Sequence, residues 1–431
     1  MSIFTSILEW LLWIILALAV IIIVSLYIRG AFRDPVKYTV KNAPHPGEPR
    51  FTLTLASISN SLTSSGITTD FWAEPDQIQN ARLEAIKSAQ HSIHFETFFM
   101  TPGRRANDFA AAIAERAAAG VEVQLVVDSH GTHTLPKRYW QRLRKAGVQV
   151  VFFNKFDPKA PANYAGRTHR KLLLIDGEYA LIGGAGISDY WDGMEKFGDT
   201  EPWLDVEMRL RGEIVAVLEG IFMSHWTYSG GTADLDAKVL KPYPADNLTI
   251  LITLGDNPTY RSSPIKALKQ NSIICARQRI WLASPYFLPD TNSIELLKAA
   301  KKLGLDVRIL TTSSRCDKKY VYYASYELFG KLLKAGIEVY EYQPSMIHAK
   351  MMLIDDYWVN TGSANFDPRS FYHNEELDIS TSDPKLVENV EQVFEKAFTK
   401  SRRVTLEEWR KRSFIRNRII GNLVGFFQWQ L

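Results

Sequence analysis

Two short segments of the chain carry a histidine and a lysine two residues apart, with an aspartate five residues after the lysine. They are "HRKLLLID", which begins at His169, and "HAKMMLID", which begins at His348. An imidazole can attack phosphorus or relay a proton, and an ammonium group can stabilise charge on a phosphoryl oxygen. The candidate catalytic residues are His169, Lys171, Asp176, His348, Lys350 and Asp355.

A buried β-strand is the element that would hold each pair. Side chains two residues apart in a strand point to the same face, so each histidine shares a face with the lysine of its own segment. The runs that follow, "LLLI" and "MMLI", are apolar on both faces, which is typical of a strand covered on both sides. The aspartates Asp176 and Asp355 then fall in turns.

If the two segments pack symmetrically, two imidazoles and two ammonium groups converge, and that set suits a phosphodiester. One imidazole attacks phosphorus to give a phosphohistidine, while the other protonates the leaving alkoxide and later deprotonates the incoming hydroxyl. The lysines neutralise the phosphoryl oxygens. The second segment is followed by "GSANFDPRS", in which Ser363 and Asn365 are candidate donors to a phosphate. This chemistry needs no metal, and we predict no metal and no cofactor.

The elements around the two segments repeat in the same order. From residue 76 helical and strand patterns alternate, and "LRKAGVQV" in the first half matches "LLKAGIEV" in the second. The pattern predicts an α/β fold of two pseudo-symmetric halves, each a mixed sheet flanked by helices. We place the halves at residues 76–235 and 236–400.

The N-terminus predicts one transmembrane helix at residues 8–28. The 18 residues from Leu11 to Ile28 include no charged side chain, and at 1.5 Å per residue they span about 27 Å, close to the thickness of a bilayer. No Lys or Arg precedes the run, which disfavours a cleaved signal peptide. Residues 29–75 are predicted to be a linker and N-terminal extension. Basic residues follow the helix and predict a cytoplasmic domain: Arg29, Arg33, Lys37 and Lys41.

The C-terminal segment, residues 401–431, is predicted to be a basic amphipathic tail close to the membrane. The segment that begins with Lys400 and ends with Arg418 contains eight Lys and Arg residues, these two included. The aromatic stretch "GFFQWQL" follows. A solvated basic helix is the alternative. Because an anchor already holds the domain near a bilayer, we favour an interfacial segment drawn to anionic lipid.

Composition narrows the class of protein. The net charge of +4 is too small for a nucleic-acid coat, and Cys275 and Cys316 are the only cysteines. Two isolated cysteines imply no disulfide framework and fit a reducing compartment. We expect anionic phospholipids and the membrane surface as partners, with no nucleic acid and no obligate protein partner.

The motifs also carry a resemblance. "HRKLLLIDG", "HAKMMLIDD", "GSANFDPRS" and "WLDVEMRLRGEIVAVLEGIFMSHW" resemble the phospholipase D superfamily, and within it the bacterial cardiolipin synthases. The resemblance implies two phospholipase D-type halves with His169 and His348 as the reacting pair, the first more often being the nucleophile. It implies that the phosphate is held by Lys171, Lys350, Ser363 and Asn365. It further implies that Asp205 and Glu376 orient the histidine rings, and that Asp176 and Asp355 are structural.

The chain departs from the family pattern after the first motif. Where relatives commonly have Gly-Gly-x-Asn, this chain has Gly183-Gly184-Ala185-Gly186. The amide donor is missing on that side, so we expect the N–H groups of Gly183 and Gly184 to bind the phosphate and the site to be asymmetric. Which histidine attacks stays open.

The function that the resemblance implies is phosphatidyl transfer at the inner, cytoplasmic membrane, with two phosphatidylglycerol molecules giving cardiolipin and glycerol. Hydrolysis by water and transfer involving phosphatidylethanolamine are close alternatives. A nuclease using the same four groups is a second class, which the anchor and low net charge disfavour. A lipid-binding protein with a decayed site is a third, which the two intact His-x-Lys pairs disfavour.

Overall fold

The structure is a computed structural model that describes residues 2–28, 36–159, 164–233, 248–259 and 262–426. Its helices are α1 Ser2–Ile28, α2 Phe51–Ser59, α3 Pro75–Ser88, α4 Arg104–Ala118, α5 Lys137–Lys145, α6 Glu213–Tyr228, α7 Pro264–Cys275, α8 Thr291–Lys302, α9 Lys319–Leu333, α10 Pro368–Tyr372, α11 Pro384–Thr399, α12 Leu406–Arg410 and α13 Asn422–Phe426, with a π-helical segment at Phe414–Gly421. Its strands are β1 Leu62–Ser65, β2 Ile67–Trp72, β3 Ser92–Thr97, β4 Glu122–Asp128, β5 Gln149–Phe153, β6 Lys171–Ile175, β7 Tyr179–Gly183, β8 Glu207–Arg211, β9 Thr249–Leu254, β10 Arg279–Ala283, β11 Asp306–Thr312, β12 Glu338–Tyr342, β13 Met351–Ile354, β14 Trp358–Gly362, β15 Leu377–Thr381 and β16 Ser401–Arg403.

The strands form two mixed sheets that repeat one plan. The first has the order β2-β8-β7-β6-β3-β4-β5, and the second has the order β1-β9-β15-β14-β13-β10-β11-β12-β16. In each sheet three strands joined by helices are parallel, β3-β4-β5 in one and β10-β11-β12 in the other. The motif strand, β6 or β13, pairs antiparallel with the first of them. The predicted α/β fold with two pseudo-symmetric halves is therefore confirmed.

Apolar side chains on both faces explain why the motif strands are central. Leu172 and Leu174 of β6 and Met351 and Leu353 of β13 share one core with α6 and α11, between the inner faces of the sheets. The alternate residues of the same strands, such as Leu173, pack in separate cores under the outer helices. A strand buried on both sides is a rigid support for the polar residues at its end.

The structure corrects two predicted boundaries. Residues 51–72 lie in the fold and not in a linker: Phe51 and Leu55 of α2 are buried in the core of the second half. Strand β1 pairs with β9 of the second sheet, while β2 pairs with β8 of the first. Likewise, β16 extends the second sheet beside β12, and Trp409 is buried, so residues 401–409 belong to the second half and not to the tail.

Helix α1 is long and apolar enough to cross a bilayer over Thr5–Ser25, and none of that window is buried inside the protein. The predictions on orientation and on the tail rest in part on Arg29, Arg33, Phe427 and Trp429, which lie outside the described residues.

Candidate active site

Both histidines line a single cleft between the two halves. The cleft is open to solvent and has a volume of about 750 Å³, and Lys171, Asn365 and aromatic side chains line it together with His169 and His348. The remaining lining residues are Phe98, Phe99, Arg167, Tyr190, Trp191, Trp203, Tyr286, Asp317, Lys318, Arg369 and Asn374.

Backbone pairing between the halves brings the two motifs together. The N–H of His169 donates to the carbonyl of Glu375 at 2.8 Å, so the start of the first motif pairs with the segment that precedes β15. Symmetrically, the N–H of His348 donates to the carbonyl of Leu204 at 2.7 Å, just before β8. Each motif is therefore tied to the half that does not contain it.

This crossed pairing decides which carboxylate meets which ring. Glu376 Oε2 lies 3.0 Å from His169 Nδ1, and Asp205 Oδ2 lies 2.8 Å from His348 Nδ1. The two predicted ring-orienting carboxylates are both in place, and each one serves the histidine of the other half. Because a buried carboxylate occupies Nδ1, Nε2 is the ring nitrogen left for chemistry.

The rings and the lysines are buried, and their pKa values move accordingly. Burial lowers the pKa of His169 to about 4 and that of His348 to about 3, with the lysine charges adding to the effect. Burial and the charge of Lys350 lower the pKa of Lys171 to about 7, and burial lowers that of Lys350 to about 8. At neutral pH both rings are neutral and therefore nucleophilic.

Each lysine is folded back onto its own motif. Lys171 Nζ donates to the carbonyl of His169 at 2.5 Å, and Lys350 Nζ donates to that of His348 at 2.6 Å. Lys350 Nζ also lies 3.1 Å from Nε2 of His348. Each ammonium group is therefore held at the start of its own motif, and that of Lys350 also contacts the ring of His348.

Ser363 and Asn365 take different positions. The hydroxyl of Ser363 donates to Glu376 Oε2 at 2.5 Å and accepts from the N–H of Leu377 at 2.9 Å, so it supports the carboxylate that orients His169. Asn365 is buried and lines the cleft directly. Of the two, only Asn365 lines the cleft.

The structure corrects the expectation for Gly183 and Gly184. The N–H of Gly184 donates to the carbonyl of Val206 at 3.1 Å, and Gly183 is paired with Glu207 in the sheet. A Cβ at residue 184 would lie 2.3 Å from Asp205 Oδ1. The missing side chain of Gly184 lets Asp205 approach the end of β7, and neither glycine presents its N–H group to a phosphate.

Asp176 and Asp355 lie away from the cleft, in the turns that follow β6 and β13. Both have positive φ, 55° and 51°, a conformation that Asp tolerates better than most residues. Asp176 accepts three backbone N–H groups, from Gln90 to Ser92, and Asp355 accepts the three from Arg277 to Arg279. The prediction that Asp176 and Asp355 are catalytic is therefore wrong, because they fix the hairpin that carries each motif.

Sequence reasoning missed the aromatic walls of the cleft. The ring of Phe98 lies 5.2 Å from that of His169, and the rings of Trp191 and Trp203 lie 5.0 and 6.1 Å from that of His348. Trp191 Nε1 also donates to Asp205 Oδ2 at 2.9 Å. Isolated aromatics carry no spacing signal, so only the "YWDG" that follows the unusual Gly183–Gly186 stretch could have drawn attention to Trp191.

The sequence of the chain matches a protein family and several curated proteins. The family model described as "Cardiolipin synthase, PLD-like domain" matches residues 83–191 and 270–398. A cardiolipin synthase of Geobacillus sp. (strain WCH70) is 34% identical over 352 residues, which is 80% of this chain and 69% of that protein. Cardiolipin synthase A of Pseudomonas aeruginosa (strain LESB58) is 34% identical over 77% of this chain and 66% of its own length.

Two solved structures share the fold. Phosphatidylserine synthase of Haemophilus influenzae Rd KW20 has a TM-score of 0.66 at 12% identity, over 88% of this chain and 99% of that one. Polyphosphate kinase of Porphyromonas gingivalis has a TM-score of 0.52 at 15% identity, over 86% of this chain and 52% of that one. The chain spans about two thirds of the length of the cardiolipin synthases of Geobacillus sp. and Pseudomonas aeruginosa. The resemblance to the phospholipase D superfamily is confirmed.

Proposed function

This chain belongs to the family of cardiolipin synthases with phospholipase D-like domains, and from that membership we propose that it is a phosphatidyltransferase. It cleaves the headgroup ester of one membrane phospholipid and passes the phosphatidyl unit to an alcohol. In its most specific form the proposal is that two phosphatidylglycerol molecules give cardiolipin and glycerol. The names of the relatives support that form.

One observation carries the proposal: two imidazoles, each held at Nδ1 by a carboxylate, line one cleft. Nε2 of one ring attacks phosphorus, and the bond from phosphorus to the headgroup oxygen breaks. The other ring, which carries a proton on Nε2 while the anionic phosphate is bound, gives that proton to the oxygen. It then takes a proton from the acceptor hydroxyl as the acceptor oxygen attacks phosphorus and the phosphorus–nitrogen bond breaks.

The remaining residues have supporting roles in this scheme. Lys171, Lys350 and Asn365 hold the phosphoryl oxygens, where charged donors in a buried site are most effective. The anionic phosphate favours the ammonium form of both lysines, and it offsets the positive charge that lowers the pKa of the rings. A ring can therefore take up the proton that the leaving headgroup needs.

The C-terminal segment supports a membrane-facing role. Phe414, Ile415, Ile419 and Leu423 are each at least half exposed, while Gly421 packs so closely on α9 that a Cβ there would lie 2.6 Å from the carbonyl of Tyr323. The segment is therefore docked on the domain with an apolar face outward. With Arg416 and Arg418 exposed beside it, we propose that it lies on anionic lipid.

We further propose that α1 is a single-pass anchor in the inner membrane and that the catalytic domain is cytoplasmic, which the length of the apolar helix and the basic residues after it support. Protease added to inverted vesicles should then digest the domain. Protection in inverted vesicles, with digestion from the opposite face, would contradict the orientation.

A substrate comparison tests the function. Purified full-length protein receives labelled phosphatidylglycerol in one reaction and plasmid DNA in another. We expect labelled cardiolipin and free glycerol, with the plasmid intact. Phosphatidic acid as the main lipid product would make the protein a hydrolase, and nicked plasmid with untouched lipid would make it a nuclease.

A paired substitution tests the tail. Ile415→Ser with Ile419→Ser in the full chain should lower activity on phosphatidylglycerol vesicles and leave activity on a short-chain, monomeric phosphatidylglycerol unchanged. Leu303→Ser, which alters a highly exposed leucine elsewhere on the second half, is the control. Equal activity of both proteins on vesicles would remove the tail from membrane binding.

A further inference from the structure

Asn374 is a buried polar residue of the cleft. It lies outside the two motifs and has no role in the proposed reaction steps. It follows α10 and stands two residues before Glu376; the residue is 95% buried and lines the cleft. Its Nδ2 donates to Glu376 Oε1 at 3.3 Å. The same carboxylate contacts His169 Nδ1 through its other oxygen, at 3.0 Å.

The orientation of this amide follows from its partner. A flipped amide would set its oxygen against the Glu376 carboxylate, and two acceptors cannot bond to each other. The oxygen Oδ1 is therefore the atom left over, and among the described residues no donor reaches it. A buried amide oxygen requires a hydrogen-bond donor.

The charge of the cleft decides which ligand group can be that donor. Arg167, Lys171, Lys318 and Arg369 line the cleft and suit the phosphate of a lipid. A phosphate diester carries acceptor oxygens only, so it cannot satisfy Asn374 Oδ1. A hydroxyl group can, and a glycerol headgroup carries a second hydroxyl beside the one that reacts.

We propose that Asn374 Oδ1 accepts a hydrogen bond from the acceptor's hydroxyl adjacent to the reacting one, so that the cleft selects vicinal diols. The inference rests on the proposed phosphatidyl transfer. Glu376 joins Asn374 to His169, so a diol held by the amide has its reacting hydroxyl beside the imidazole pair. A site built to bond a hydroxyl disfavours an analogue that lacks it, because its own polar group is then left unpaired.

Two small acceptors that differ by one hydroxyl test the inference. Full-length protein with phosphatidylglycerol as donor is given radiolabelled 1,2-propanediol or 1-propanol, and incorporation of label into lipid is measured. We expect the wild type to favour the diol by about tenfold or more, the factor that corresponds to about 1.4 kcal/mol. In Asn374→Ala the ratio should fall close to one, while Asn107→Ala, on an exposed face of α4, keeps the wild-type ratio.

The ratio separates selectivity from a structural effect, because loss of support for Glu376 lowers transfer to both alcohols alike. A wild-type ratio near one, or an unchanged ratio in Asn374→Ala, overturns the inference. So does complete loss of transfer to both alcohols in Asn374→Ala and in Asn374→Ser. If the wild type moves no phosphatidyl group to any acceptor, the proposed function itself fails.

Discussion

The two carboxylate–histidine pairs follow one plan but are held by different donors. In the pair of Glu376 and His169, the carboxylate accepts from the hydroxyl of Ser363 at 2.5 Å. In the pair of Asp205 and His348, it accepts from the indole N–H of Trp191 at 2.9 Å. In both halves the ring-orienting carboxylate accepts a hydrogen bond, but the residue that donates this hydrogen bond differs between the halves.

The first half differs from the second at two neighbouring positions. Gly184 stands where the second half has Ser363, and Gly186 stands where it has Asn365. A Cβ at residue 186 would lie 3.1 Å from the Trp191 ring, so the missing side chain leaves room for the indole. Trp191 therefore supplies the hydrogen bond that Gly184 cannot, while Gly186 leaves the first half without an equivalent of the Asn365 amide. What the site requires is a donor to each buried carboxylate, and either residue type meets that need.

The largest effect expected is the loss of either imidazole. His169→Ala and His348→Ala should each lower phosphatidyl transfer by about 10⁴-fold or more, because one ring forms the covalent bond and the other moves the proton. Transfer of labelled phosphatidylglycerol measures the loss, with the melting temperature as a check on folding. Full activity in either variant would remove that residue from the mechanism and break the equivalence of the halves.

The next largest effect is expected from substitutions of Asp205 and Glu376, the carboxylates that contact the histidine of the other half. Asp205→Asn and Glu376→Gln should each cost roughly 100- to 1,000-fold, because the ring loses the group that fixes its tautomer and stabilises its charged form. Ring nitrogen chemical shifts in ¹⁵N-histidine-labelled protein locate the effect. Asp205→Asn should move the signals of His348, and the crossed pairing is contradicted if it moves those of His169 instead.

The supporting donors are predicted to have a smaller and matched effect. Trp191→Phe and Ser363→Ala should each lower kcat by about tenfold, since each removes one hydrogen bond to a buried carboxylate. Trp203→Phe is the control, because its N–H donates to Asp199 at 2.7 Å and not to either ring-orienting carboxylate. If Trp191→Phe behaves like Trp203→Phe, the indole does not replace the serine.

The smallest effect is a shift in pH dependence. Burial and the charge of Lys350 lower the pKa of Lys171 to about 7, so kcat/KM should fall as rising pH removes that proton. Lys350→Met removes a like charge and raises the pKa of Lys171, so the alkaline limb should move to higher pH even though the rate falls. Lys319→Met, at an exposed residue, should leave the limb in place. An unchanged limb in Lys350→Met would mean that the two ammonium groups do not share one site.

The repeated His-x-Lys spacing predicted both motif strands, the duplicated α/β plan and the rings of the cleft. Period-two alternation and the two apolar runs are local properties, so a single sequence carries them. The segment of residues 51–72 escaped detection because β1, "LTSS", is short and polar and gains its place by pairing with β9, which is nearly 190 residues away in sequence.

The crossed arrangement had no signal in the sequence for a similar reason. Asp205 and Glu376 could be identified as candidates, but which ring each one meets depends on the packing of one half against the other. The pairing of His169 with Glu375 and of His348 with Leu204 settles that choice. Asn374 was missed because its importance lies in an unpartnered oxygen, which only coordinates reveal.

The central claim is that both imidazoles act on one phosphorus atom. A crystal structure with orthovanadate, which mimics a phosphoryl group in transfer, tests it most directly. We expect a single vanadate in the cleft, with Nε2 of His169 and Nε2 of His348 on opposite sides of it and each within about 3 Å of the metal or its oxygens. Vanadate bound to one ring alone, or two ions in separate places, would contradict the account.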